Sequence, residues 1–142
     1  MMRVEPLTLA HFDTIDVQPA QRAHFELFTP AVRAELVKVE SVAAVADGRT
    51  FCVGGVCDLG FGRGNAWSIL GHGSPRHFVG VHRAVLAHLA RVPFRRVEMA
   101  VAPQCSSAIR WALMLGFQFE APMRAWFPDG SEAYLFSRVK RW

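Results

Sequence analysis

Residues 104–134 read QCSSAIRWALMLGFQFEAPMRAWFPDGSEAY, and this stretch decides the fold. Ala108, Trp111, Ala112 and Leu115 recur at the spacing of one helix face, which predicts a helix over residues 105–115. Gly116 stands where such a helix needs a residue of positive φ to stop. Phe117 and Phe119 alternate as on a strand over residues 117–121, Asp129 and Gly130 mark a turn, and residues 132–139 form a last strand. Upstream, Val97, Met99 and Val101 share one face of a strand over residues 94–102, which Pro103 ends. Strand, helix, strand and hairpin therefore follow one another.

Ahead of this block, Ser74 and Pro75 form a cap and first-turn pair, and Phe78, Val81, Val85, Leu86 and Leu89 trace the buried stripe of a helix ending near Arg91. Three antiparallel strands precede it, over residues 42–46, 50–61 and 66–70. Asp47 and Gly48 give a hairpin turn that needs positive φ at both positions, and residues 62–65 give a second turn. At the start, Val4, Leu7 and Leu9 suggest a short strand. Pro19 opens a helix over residues 19–28, and Thr29 caps another that begins at Pro30, carries Val32, Leu36 and Val39, and runs to about residue 40. The order is β-α-α-β-β-β-α-β-α-β-β, which predicts a mixed α/β fold in one domain, with helices on both faces of the sheet.

Composition agrees with a single packed core: 142 residues, 51% apolar and 20% charged. No apolar run reaches the roughly 20 residues that span a bilayer, and the first residues lack a basic segment followed by an apolar one, so a cytoplasmic protein without membrane contact is expected. Cys52, Cys57 and Cys105 are odd in number and scattered, as small buried hydrophobes of a reducing compartment are. The six histidines show no pair at i, i+4 spacing and no CxxC joins them, so no metal is expected. The net charge of +4 suits a phosphate-bearing ligand; a nucleic-acid surface is suggested by charge alone.

The element order and the residues at its joints resemble the GNAT superfamily of N-acyltransferases. Val101, Ala108, Trp111, Gly116, Phe117, Glu120 and the Asp129-Gly130 turn resemble the family's V-x-x-x-N-x-x-A-x-x-F-Y-x-x-x-G-F followed by an acidic residue and a turn. The segment SVAAVADGRTFCVGGV, residues 41–56, is similar to the family's strand, DG turn and strand with an internal glycine. Within the superfamily the resemblance is especially to phage-encoded acetyltransferase-like proteins, among them a small internal virion protein of short-tailed phages, in which a Trp also sits on the fourth strand, as Trp67 does here.

The resemblance implies acetyl-CoA as cosubstrate and a primary amine as acceptor, on a monomer or homodimer. It also implies an alternative, a GNAT-fold structural or interaction protein of a virion that has lost the cosubstrate. In the family, strands four and five splay, pantetheine pairs with main chain of strand four as an added strand would, and pyrophosphate meets the next helix N-terminus. Carried over, Ser68, Ile69 and Leu70 would meet pantetheine, and Gly71, Gly73, Arg76 and His77 would line the phosphate turn. Arg76 matches the first position of the family's Q/R-x-x-G-x-G/A turn, whereas Val79 and Val81 stand at its small positions. Cys105 takes the family's Asn position as a cofactor contact, and Ala112 takes the position of the Tyr that protonates the departing thiolate.

Two residues are candidates for the base that accepts the amine proton. Glu98 lies between Val97 and Met99 and so points away from their face, either as that base or in an ion pair with Arg95, Arg96 or Arg110. His72 follows strand four, and imidazole is the side chain that exchanges protons near neutrality. Trp67 either lines the acceptor pocket or fills core, and Ser106 and Ser107 are expected to cap the helix after Pro103.

Overall fold

Asp47 and Gly48 take φ of 51° and 73°, the left-handed pair of a tight hairpin, and join the strands Ser41–Ala46 and Arg49–Gly60 as the sequence predicts. The structure, a computed structural model, describes residues 2–72 and 75–140, with backbone alone at positions 75 and 76. In chain order its elements are β1 (Arg3–Pro6), α1 (Leu9–Thr14), a 3-10 turn (Pro19–Gln21), α2 (Arg22–Phe25), α3 (Pro30–Leu36), β2 (Ser41–Ala46), β3 (Arg49–Gly60), β4 (Arg63–Leu70), α4 (Pro75–Arg91), β5 (Arg96–Val101), α5 (Ser106–Met114), β6 (Gln118–Met123) and β7 (Ala133–Val139). The strands form one seven-stranded sheet in the order β1-β2-β3-β4-β5-β7-β6, mixed because β4 and β5 run parallel.

Three expectations change. Leu7 and Leu9 leave the first strand: α1 begins at Leu9 because His11, its third residue, accepts a hydrogen bond from the Thr8 N–H at 2.9 Å through Nδ1, doing what Glu or Gln does in a capping box. The helix expected over residues 19–28 breaks into a 3-10 turn and one short helical turn, and the next, capped as expected by Thr29, stops at Leu36. The second hairpin closes at Phe61 and Gly62 rather than at residues 62–65, with Phe61 at φ 58° and 88% exposed. A bulky residue rarely adopts that conformation, so the glycines of the next four residues draw the expected turn downstream.

The chain divides into two compact units, residues 1–57 with 67–91, and residues 58–66 with 92–142. In the first, Phe12, Phe28, Leu36, Ala43, Val45, Val53 and Ile69 build a core on which Phe25 and Trp67 pack. Trp67 stacks on Phe12 with centroids 6.2 Å apart, and its ring lies 5.4 Å from that of Phe28. In the second, Val97, Trp111, Ala112, Leu115, Phe117 and Phe136 are buried, and Gly116 at φ 89° ends α5 as expected.

Gly54 sets how closely β3 and β4 approach. A Cβ there would lie 2.8 Å from the Trp67 carbonyl oxygen and 3.3 Å from Ser68 Cβ. The neighbour is backbone and cannot swing aside, so Gly54→Ala is expected to destabilise the protein by about 1–3 kcal/mol. Urea unfolding of the two proteins measures this, and equal midpoints would refute the close approach.

Candidate functional site

In the first unit, the backbone groups of β4 alternate between its two edges, as those of any strand do. The Gly71 N–H donates to Phe51 of β3 at 2.8 Å, so Trp67, Ile69 and the Gly71 N–H face β3, and Ser68, Leu70 and the His72 N–H face the opposite edge. Ile69 is fully buried and serves the core with its side chain.

That opposite edge is already paired. Gln18 donates its backbone N–H to the Leu70 carbonyl at 3.0 Å, and the His72 N–H donates to the Asp16 carbonyl at 2.8 Å. Next to them, toward Ser68, the Gln21 carboxamide makes two bonds to β4, with Nε2 donating to the Ser68 carbonyl at 3.1 Å and Oε1 accepting from the Leu70 N–H at 2.7 Å. Residues 16–18 thus act as a short antiparallel strap, bridged through Val17 and Gly71, and Gln21 extends it by one side chain. Gly71 is needed here, since a Cβ would meet the Asp16 carbonyl at 3.0 Å and Ile15 Cγ1 at 3.1 Å.

Sequence reasoning names Ser68 and Leu70 but misses Gln21 and Gln18, which occupy their hydrogen bonds. The only signal was Pro19, whose fixed φ sets the 3-10 turn that carries Gln21 back to the strand. Of the expected phosphate-turn residues, Gly71 is buried within the strap and His77 lies half-buried with its ring 5.2 Å from that of Phe51. Gly73 and the Arg76 side chain lie outside the described residues. His72 is exposed at the end of β4. The Trp67 indole N–H is buried without a hydrogen-bond partner among the described residues, a donor that a bound group can satisfy.

In the second unit, the β4 and β5 ladder pairs Arg63 with Arg96, Gly64 with Val97 and Asn65 with Glu98. Across it Glu98 accepts from Arg63 Nη2 at 2.9 Å and from Arg96 Nε at 2.9 Å, while Arg96 also holds Glu120. A bulge between Phe119 and Ala121 interrupts the β6 and β7 register at Glu120. Of the ion-pair partners considered for Glu98, Arg96 is the one used; Arg63, on the neighbouring strand, is the one missed. Cys105 is buried at the N-cap of α5, with Sγ 3.8 Å from Ser107 Oγ. It takes the capping position expected of Ser106 and Ser107, which instead lie exposed in the helix's first turn and have no part in a side-chain cap. In the first unit, burial pushes the Cys52 thiol up to about 12, as suits a small buried hydrophobe.

Burial alone would raise the Glu98 carboxyl, but the hydrogen bonds from Arg96 and Arg63 outweigh it and hold it below the usual carboxylate range. A lowered folded-state value stabilises the protein above the unfolded value, and this is lost as pH falls through the folded one. Glu98→Gln is therefore expected to be less stable than the parent at pH 7, with the gap closing from about pH 5 to about pH 3. Chemical denaturation across that range checks it, and a gap independent of pH would show the ion pairs to be silent.

No protein-family model matches the sequence, and no curated protein does. Solved structures align with nearly all of it. Ard1 from Thermoplasma volcanium has a TM-score of 0.76 at 18% identity, covering 99% of each chain. A GNAT family acetyltransferase from Elizabethkingia anophelis, solved with acetyl-CoA bound, has a TM-score of 0.70 at 10% identity over 98% of each chain. The ribosomal-protein-S18-alanine N-acetyltransferase from Escherichia coli has a TM-score of 0.63 at 17% identity, over 98% of this chain and 94% of its own. At such identities the likeness speaks to architecture, and the chain has the GNAT acetyltransferase fold.

Proposed function

We propose that the protein transfers an acetyl group from acetyl-CoA to a primary amine. The observation that carries this reading is the full-length likeness to acetyltransferase structures, one of them with acetyl-CoA bound. Pantetheine runs along the outer edge of β4 at residues 68–70, and Gly73, Arg76 and His77 take the phosphates. Cys105 is a further contact from α5.

The amine nitrogen attacks the thioester carbonyl carbon, the C–N bond forms, the C–S bond breaks, and CoA leaves as the thiolate. Ala112 at the position of the family's Tyr offers no proton to that thiolate, so departure relies on the intrinsic acidity of a thiol, near 8.5. Of the two candidate bases, Glu98 is engaged by two guanidinium groups, which makes it a weak proton acceptor. His72, exposed where β4 ends, takes the amine proton. The Trp67 N–H supports the same reading as a donor for a bound acyl or acceptor group.

A second reading, a virion or prophage component that keeps the fold without the chemistry, is favoured by the paired β4 edge and by Ala112. Saturating acetyl-CoA separates the two. At about 100 times Kd a ligand selective for the native state adds about 2.7 kcal/mol, which raises the Tm by several degrees. An unmoved Tm leaves the fold without this cosubstrate. In the active protein, His72→Ala is expected to lower kcat about 10²- to 10⁴-fold with acetyl-CoA affinity retained. Steady-state kinetics checks that, and an unchanged kcat removes His72 as base.

A further inference from the structure

Gln21 makes a pair of hydrogen bonds with a specific geometric meaning. In a parallel ladder, one residue of the neighbouring strand donates its N–H to the carbonyl one position before the residue it faces, and accepts with its C=O from the N–H one position after. Facing Ile69, those groups are the Ser68 carbonyl and the Leu70 N–H. Gln21 Nε2 donates to the first at 3.1 Å and Oε1 accepts from the second at 2.7 Å. One primary carboxamide thus imitates one residue of a parallel neighbour of β4. A pantetheine arm laid along the edge offers the same donor and acceptor, one from each of its two amides.

We propose that Gln21 is a built-in placeholder on β4, which the pantetheine arm must displace to bind. The proposal rests on the reading of residues 68–70 as the pantetheine edge. Unpaired strand-edge groups are costly when they leave water, and the free protein meets that cost with its own side chain. Gln21 is well placed for exchange. Its backbone is fixed independently of its carboxamide, through the 3-10 turn after Pro19, the Gln21 N–H bond to the Gln18 carbonyl at 2.9 Å and the Gln18 N–H bond to Leu70. Its side chain can therefore swing away while the main-chain strap stays in place. Affinity for the cosubstrate is set partly by this internal competitor, and the edge selects ligands that carry amides.

The test measures acetyl-CoA affinity by calorimetry for the parent, Gln21→Ala and Gln21→Met, the last keeping the side-chain length without its hydrogen bonds. Both variants are expected to bind about tenfold more tightly, since two modest hydrogen bonds no longer compete. Pantetheine alone should gain likewise, while adenosine 3',5'-bisphosphate, which has no amide arm, should bind parent and variants alike. Thermal unfolding of each free variant controls for folding. If the parent binds acetyl-CoA and the folded variants bind it equally or more weakly, Gln21 is no placeholder, and the acetyl-CoA reading stands without it. If neither parent nor variants bind, the acetyl-CoA reading fails and takes this proposal with it.

Discussion

The outer edge of β4 is the constraint on which the rest of the first unit depends. A strand between a close neighbour and an incomplete one must find partners for each amide and carbonyl it turns outward. β4 finds them in residues 16–21, and this explains features otherwise unrelated. Pro19 sets the turn that brings Gln21 round, Gly71 leaves room for the strap, and Ile15 and Val17 are buried beside it. On the other edge Gly54 brings β3 within touching distance of the Trp67 carbonyl. Backbone hydrogen bonding and the absence of two side chains position this strand together.

The second unit solves a different problem with charge. Glu98 on β5 would stand as a desolvated carboxylate, and it is balanced by Arg63 and Arg96 on its two sides, with Glu120 completing the chain through Arg96. Arg96 is held more firmly protonated still, first by Glu120 and then by Glu98. Such a network fixes side chains on three strands more than it adds stability, because its members remain partly exposed to solvent screening. The same pairing leaves the Glu98 carboxylate a weak proton acceptor.

Local signals in the sequence were legible where one residue type has one physical use. The Asp47-Gly48 turn, the Gly116 helix stop and the Thr29 cap all lie where composition puts them, because each depends on neighbours within a few positions, whereas of the stripe expected on α4 Val81 and Leu89 are buried and Phe78 is exposed. The signals misled where a tertiary contact overrides local preference. Phe61 accepts a left-handed conformation that only its hairpin requires, and His11 caps α1 from within the helix while its Nε2 reaches Glu5 at 2.8 Å. Leu9, read as strand, begins a helix because of that cap.

The candidate site divides the same way. Order of elements, the glycine positions and the approximate ends of β4 followed from sequence, because apolar periodicity and turn chemistry are written locally. That Glu98 meets Arg63 across the ladder, 35 positions away, and that Gln21 reaches Ser68 and Leu70, 47 and 49 positions away, could not be read from the chain. A surface-looking glutamine in a short turn carries no mark of its partner. Only folding, by bringing the Pro19 turn against the outer edge of β4, gives that carboxamide a donor and an acceptor at the spacing of a strand.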